Sequence, residues 1–177
     1  MADTPRSWSD LSDLLPVGGV QAISAQDLRD TFQSFRCFAS LYFLNVSGTA
    51  KATTTAGAIF TGWTAKDDNE VGCTANATDG TITVPCDGIY EASFSVSSKF
   101  ADNTTAMTMT LIKNGTGGSI AGTSVRYIAS ATSLIHNLSM SAPISLAAND
   151  TLAVFLVGGS SNNVTIYDGH FMVKRIA

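Results

Sequence analysis

From residue 38 onward apolar and polar positions alternate with a period of two, whereas before it the apolar positions recur at helical spacing. The alternation is clearest at 89–97. There Tyr90, Ala92, Phe94 and Val96 share one face of an extended chain, and Glu91, Ser93, Ser95 and Ser97 share the other. Such a segment is a strand with one buried face. The same reading predicts strands over 41–46, 58–63, 81–84, 106–113, 124–128, 133–141, 151–157 and 164–176. Turn dipeptides separate them: Asp79-Gly80, Asp87-Gly88, Asn114-Gly115, Asn149-Asp150, Gly158-Gly159 and Asp168-Gly169. About nine or ten short strands with no helical pattern between them predict an all-β fold, an antiparallel sandwich of two sheets. The strands 106–113 and 151–157 are apolar on both faces or nearly so, which suits strands covered by the sandwich on one side and by a neighbouring subunit on the other.

Residues 1–37 read differently. Trp8, Leu11, Leu14 and Leu15 follow Ser7 at helical spacing, and the pattern stops at Pro16 before Gly18 and Gly19. A second helix is predicted from Ser24, with Asp27 in a capping-box-like position and Leu28, Phe32 and Phe35 on one face. Both helices are shorter than the roughly 12 to 15 residues at which isolated helices become marginal in water. Their apolar stripe must be covered by the domain itself or by a partner. The chain therefore divides into a helical anchor or docking segment, 1–37, and a β head, 38–177.

Length and charge narrow the function. A chain of 177 residues buries one sizeable core. Ten Lys and Arg against fourteen Asp and Glu give a net charge of −4, so no basic excess exists to neutralise a phosphate backbone or an anionic leaflet. Nucleic acid and membrane are not expected partners. No run approaches the roughly 18 to 20 apolar residues that cross a bilayer, and the N-terminus lacks the basic start and apolar run of a signal peptide. Three cysteines, Cys37, Cys73 and Cys86, are odd in number and without CxxC spacing, and neither His136 nor His170 lies near them in sequence. A zinc site is not expected. Cys73 and Cys86 could bridge a small loop, but free thiols in a reducing compartment are the simpler expectation.

Catalytic chemistry finds no assembled group. Gly115-Thr116-Gly117-Gly118 belongs to a hairpin rather than to a phosphate-binding strand-to-helix turn. No Gly-x-Ser-x-Gly elbow occurs, His136 and His170 read as strand histidines, and nothing pairs Glu91 with a second carboxylate. The run Asp67-Asp68-Asn69-Glu70 could gather oxygens around a hard cation, but without a ligand ladder it reads as a solvated loop. Asn-x-Ser/Thr sequons at Asn45, Asn76, Asn103, Asn114, Asn137, Asn149 and Asn163 follow from a Ser- and Thr-rich composition. The expectation is a non-enzymatic protein without cofactor or metal.

Four motifs carry a resemblance to a known family. The stretch 81–94, TITVPCDGIYEASF, resembles the strand pair "ftvP…GxYxxxF" of the tumour-necrosis-factor and complement-head jelly-roll superfamily. In order after it, Leu111-Ile112-Lys113-Asn114-Gly115 is similar to the family's LxxNG hairpin. The stretch 146–152, LAANDTL, is similar to LxxGDxL, and 167–173, YDGHFMV, to the closing FxGFxL strand. The chain departs from the pattern at Asn149, where the family has Gly, and at His170, where it has an aromatic residue. The resemblance implies a jelly-roll head over about residues 40–177 and a compact homotrimer. It also makes Tyr90, Phe94, Tyr167 and Phe171 candidates for the core or the trimer axis.

Leu11 through Phe35, with Gly18-Gly19 and then the stretch 23–30, ISAQDLRD, is similar to the short N-terminal anchors of bacteriophage fibre and head-decoration proteins. This implies a structural protein on the virion surface of a tailed bacteriophage. It would be a trimeric capsid decoration or short head fibre, docked on the major capsid protein or another virion protein. The docking stripe would be Trp8, Leu11, Leu14, Leu15, Leu28, Phe32 and Phe35. The alternative is a tail or baseplate fibre tip whose loops, such as 67–70 or 160–163, bind a host-surface glycan or protein. A secreted signalling ligand is a third reading.

Overall fold

The computed structural model describes residues 37–52, 56–65, 70–100, 106–115, 118–128, 134–158 and 163–177. The predicted helices, with Trp8, Leu11, Leu14, Leu15, Leu28, Phe32 and Phe35, lie outside the described residues. So do residues 67–69 and 160–162 of the two loops named above.

Eleven strands run through the described residues: β1 (Phe38–Ala52), β2 (Ala58–Ile59), β3 (Thr64–Ala65), β4 (Thr74–Asn76), β5 (Thr81–Thr83), β6 (Gly88–Phe100), β7 (Ala106–Lys113), β8 (Val125–Ile128), β9 (Ile135–Leu146), β10 (Thr151–Gly158) and β11 (Asn163–Arg175). One sheet has the order β3-β1-β11-β6-β9, the other β4-β5-β10-β7-β8 with β2 also paired to β10. The strand pairs are antiparallel. From β5 to β11 the chain crosses between the sheets at every connection except the β7–β8 hairpin. This shuttling is the connectivity of a jelly roll.

The alternation seen in the sequence decides which side chains enter the sandwich. Leu41, Tyr90, Phe94, Val96, Phe171 and Val173 enter from the first sheet, and Ile82, Met107, Met109, Leu111, Leu152, Val154 and Leu156 from the second. Each large side chain taken from water contributes about 1.5–3 kcal/mol. Trp63 closes one side of this core: its indole N–H donates to the Phe60 carbonyl at 2.6 Å, and its ring meets that of Phe60 edge-on at 4.7 Å.

Several expectations are corrected. The segment 58–63 is strand only at Ala58–Ile59, because Phe60 and Trp63 turn into the core before Thr64–Ala65 pairs with β1. The strand expected at 133–141 begins at Ile135 and continues through Pro143 to Leu146. That strand pairs with β6 alone in its sheet, and an edge is where a proline's missing donor is tolerated. Asp168-Gly169 is no turn. It lies inside β11, where the pairing with β6 shifts register between Ile166 and Asp168. Glycine fits closely there, since a Cβ at Gly169 would stand 3.2 Å from the Trp63 ring.

The strands β7 and β10 are also covered differently from expectation. On the outer side of their sheet Thr110, Ile112 and Ala153 are buried within the single chain. The segment 118–124 folds over them: Ile112 bridges Ser119, and the hydroxyls of Thr110 and Thr123 lie 3.2 Å apart. Gly57 also packs against Phe155. The chain itself, rather than a neighbouring subunit, supplies this cover.

Candidate functional site

The outward face of the β3-β1-β11-β6-β9 sheet is a surface of small polar side chains with an apolar margin. Strand register lines up the buried Ser40 with Met172, Ser93 and Ser141 in one row, then Tyr42, His170, Ser95 and Ser139, then Leu44, Asp168, Ser97 and Asn137. Serine's short side chain leaves such a face flat, and cross-strand hydrogen bonds hold it. Ser95 donates to Asn137 at 3.2 Å, and Ser141 to Glu91 at 3.0 Å. The β1 margin is apolar, with Tyr42 39% and Leu44 70% exposed.

A second apolar patch lies where β8 gives way to β9. Ile128, Leu134 and Ile135 are 58%, 53% and 57% exposed. Beneath it Phe100, Tyr127 and His136 form a ring cluster. Phe100 and Tyr127 stack at 5.3 Å, and the Tyr127 hydroxyl lies 3.0 Å from His136 Nε2. The edge strand β9 carries no Asp, Glu, Lys or Arg from Ile135 to Leu146. Uncharged, exposed edges and apolar patches are what soluble chains cover by association.

Of the two roles the resemblance allows Tyr90, Phe94 and Phe171, the structure places all three in the core. They are at most 2% exposed between the sheets and have no surface left to offer a neighbour. The Tyr90 hydroxyl donates to the Cys86 carbonyl at 2.8 Å. Tyr167 stands apart from them, half-buried at the β11 register shift and packed over Gly48 of β1. His170 faces outward and is exposed, so its replacement of an aromatic residue leaves the core side of β11 unchanged. Asn149 takes a φ of 67°, the left-handed conformation that glycine adopts most easily and asparagine next, which explains the substitution.

For other chemistry the described residues offer little. Glu70 accepts a hydrogen bond from the Ala75 N–H at 3.3 Å, and no group of three His, Cys, Asp or Glu among the described residues is placed to hold a metal ion. A shallow hollow is lined by Asp87, Gly88, Ile89, Lys113, Ser145, Leu146 and Ala147. Its charges are already engaged: Lys113 pairs with Asp150 at 3.1 Å and Asp87 accepts from Ala148 N at 2.7 Å. Sequence reasoning missed one convergence. The Cys37 thiol is hydrogen-bonded to both Cys73 and Cys86; the bond with Cys73, together with burial, pushes the Cys37 thiol up to about 11 against the opposing pull of Cys86.

No protein-family model and no curated protein matches the sequence. Solved structures match the fold. An Eiger TNF from S. frugiperda aligns with a TM-score of 0.58 at 14% identity, over 80% of this chain and 94% of that one. The globular domain of a zebrafish complement 1qA protein aligns at 0.53 and 17% identity, over 80% of this chain and 98% of that one. The described residues thus have an all-β jelly-roll fold of the kind found in tumour-necrosis-factor and complement heads, as the four motifs imply.

Proposed function

We propose that this chain is a non-enzymatic structural protein on the virion surface of a tailed bacteriophage. It is a homotrimeric capsid decoration or short head fibre, docked on the major capsid protein or another virion protein. What supports the reading is a jelly-roll fold in the described residues, preceded in the sequence by a segment whose apolar residues recur at helical spacing.

Self-association is supported by the two apolar patches. They lie on different parts of the head, Tyr42 and Leu44 on one and Ile128, Leu134 and Ile135 on the other. A contact between unlike patches is heterologous, and three such contacts close a ring.

Replacing Leu28 and Phe32 with serine tests the docking role. The variant should form trimers of normal mass in sedimentation equilibrium and yet be lost from purified particles. Retention on particles would contradict docking through this stripe, and density confined to the tail would turn the reading to host recognition.

A further inference from the structure

Three cysteines from separate parts of the chain meet in the core. Cys37 precedes β1, Cys73 precedes β4 and Cys86 precedes β6; all three are buried and none is in a disulfide. The Cys37 thiol is hydrogen-bonded to the other two, so their sulfurs are neighbours. The backbone pins this meeting from both sides. Phe38 and Val71 exchange hydrogen bonds of 2.7 and 2.9 Å, and the Cys73 N–H donates to the Val71 carbonyl at 2.9 Å. On the other side the Arg175 N–H donates to the Cys37 carbonyl at 2.9 Å, and Arg175 stands opposite Tyr90, whose hydroxyl holds Cys86. Neighbouring thiols can pair as a disulfide when an oxidant is supplied.

We propose that Cys37 is an oxidisable staple. With an azodicarboxamide oxidant such as diamide it forms a disulfide with Cys73 or Cys86. One S–S bond replaces two S–H bonds, the oxidant takes up both hydrogens as its hydrazine, and the third thiol stays reduced. Cys37 is the residue at which the N-terminal segment joins the head, so the staple ties the root of β1 to the body of the sandwich. Burial and the neighbouring thiol keep Cys37 protonated at neutral pH, so the reaction is slow there. Its rate rises with pH, because the thiolate is the reacting form.

The test is to treat the full chain with diamide at pH 8 and pH 9.5, alkylate the remaining thiols, and map the digest without reduction. The expected result is one intramolecular disulfide that includes Cys37, one alkylated cysteine and faster formation at the higher pH. The melting temperature should rise by roughly 5–10 °C, reversed by dithiothreitol. Cys37→Ala, checked for native circular dichroism, should abolish both effects. Three alkylated thiols, a Cys73–Cys86 disulfide or an intermolecular disulfide in the unmodified sequence would each overturn the proposal without recourse to the variant.

Discussion

Asp150 joins two turns of the head. Its carboxylate accepts hydrogen bonds from Lys113 Nζ at 3.1 Å, Asn114 Nδ2 at 2.7 Å and the Ala147 N–H at 2.8 Å. Burial alone would push this carboxyl up; the bonds from Asn114, Ala147 and Lys113 outweigh it and hold the group below the usual carboxylate range. A carboxyl whose pKa is lower folded than unfolded stabilises fully above the unfolded value. That stability is lost as pH falls through the folded one. Asp150→Ala should therefore cost about 2–3 kcal/mol at pH 7, a drop in melting temperature of roughly 5–10 °C. Asp150→Asn should lose part of the wild-type sensitivity below about pH 4. An unchanged acid limb in thermal melts would contradict this assignment. At this scale the sequence is only partly legible. Asn114-Gly115 reads correctly as a turn because both residues adopt positive φ, 56° and 65°, but nothing local shows that Asn114 also reaches Asp150.

Strand β7 coincides with the 106–113 segment predicted from apolar spacing, because its core residues repeat every second position. Strand β1 extends well beyond the predicted 41–46, since 47–52 have no apolar alternation and are held extended by pairing with β11. The short β3 and β4 leave no period to read, and the helices expected before residue 38 lie outside the described residues. The core assignment of Phe171 and Phe94 has a direct consequence. Phe171→Ala should cost about 3–5 kcal/mol, and the loss should be the same at low and high protein concentration. A loss that grows on dilution would mean that the residue acts across a subunit contact instead.

For the whole molecule, the jelly roll is legible from four ordered motifs, whereas the surfaces are not. Ile135 and Leu44 look like core residues in a hydrophobic pattern; only the strand register shows that they face out. The three thiols likewise meet only once the topology folds 37, 73 and 86 together. If unlike patches join the subunits, Leu44→Asp and Ile135→Asp should each give monomers in sedimentation, at a cost of the apolar contact each removes. An equimolar mixture should give dimers and stop there, because only one intact pair of patches remains. A mixture that stays monomeric would refute the heterologous contact, as would trimers formed by either variant alone.

The most direct measurement of the proposed role is cryo-electron microscopy of virions in which this chain is detected, with the density of residues 1–37 traced. The account predicts trimeric knobs on the capsid lattice, with Leu28, Phe32 and Phe35 pressed against the shell. Knobs absent from the capsid, or seated there through the jelly-roll head with residues 1–37 turned away from the shell, would contradict it.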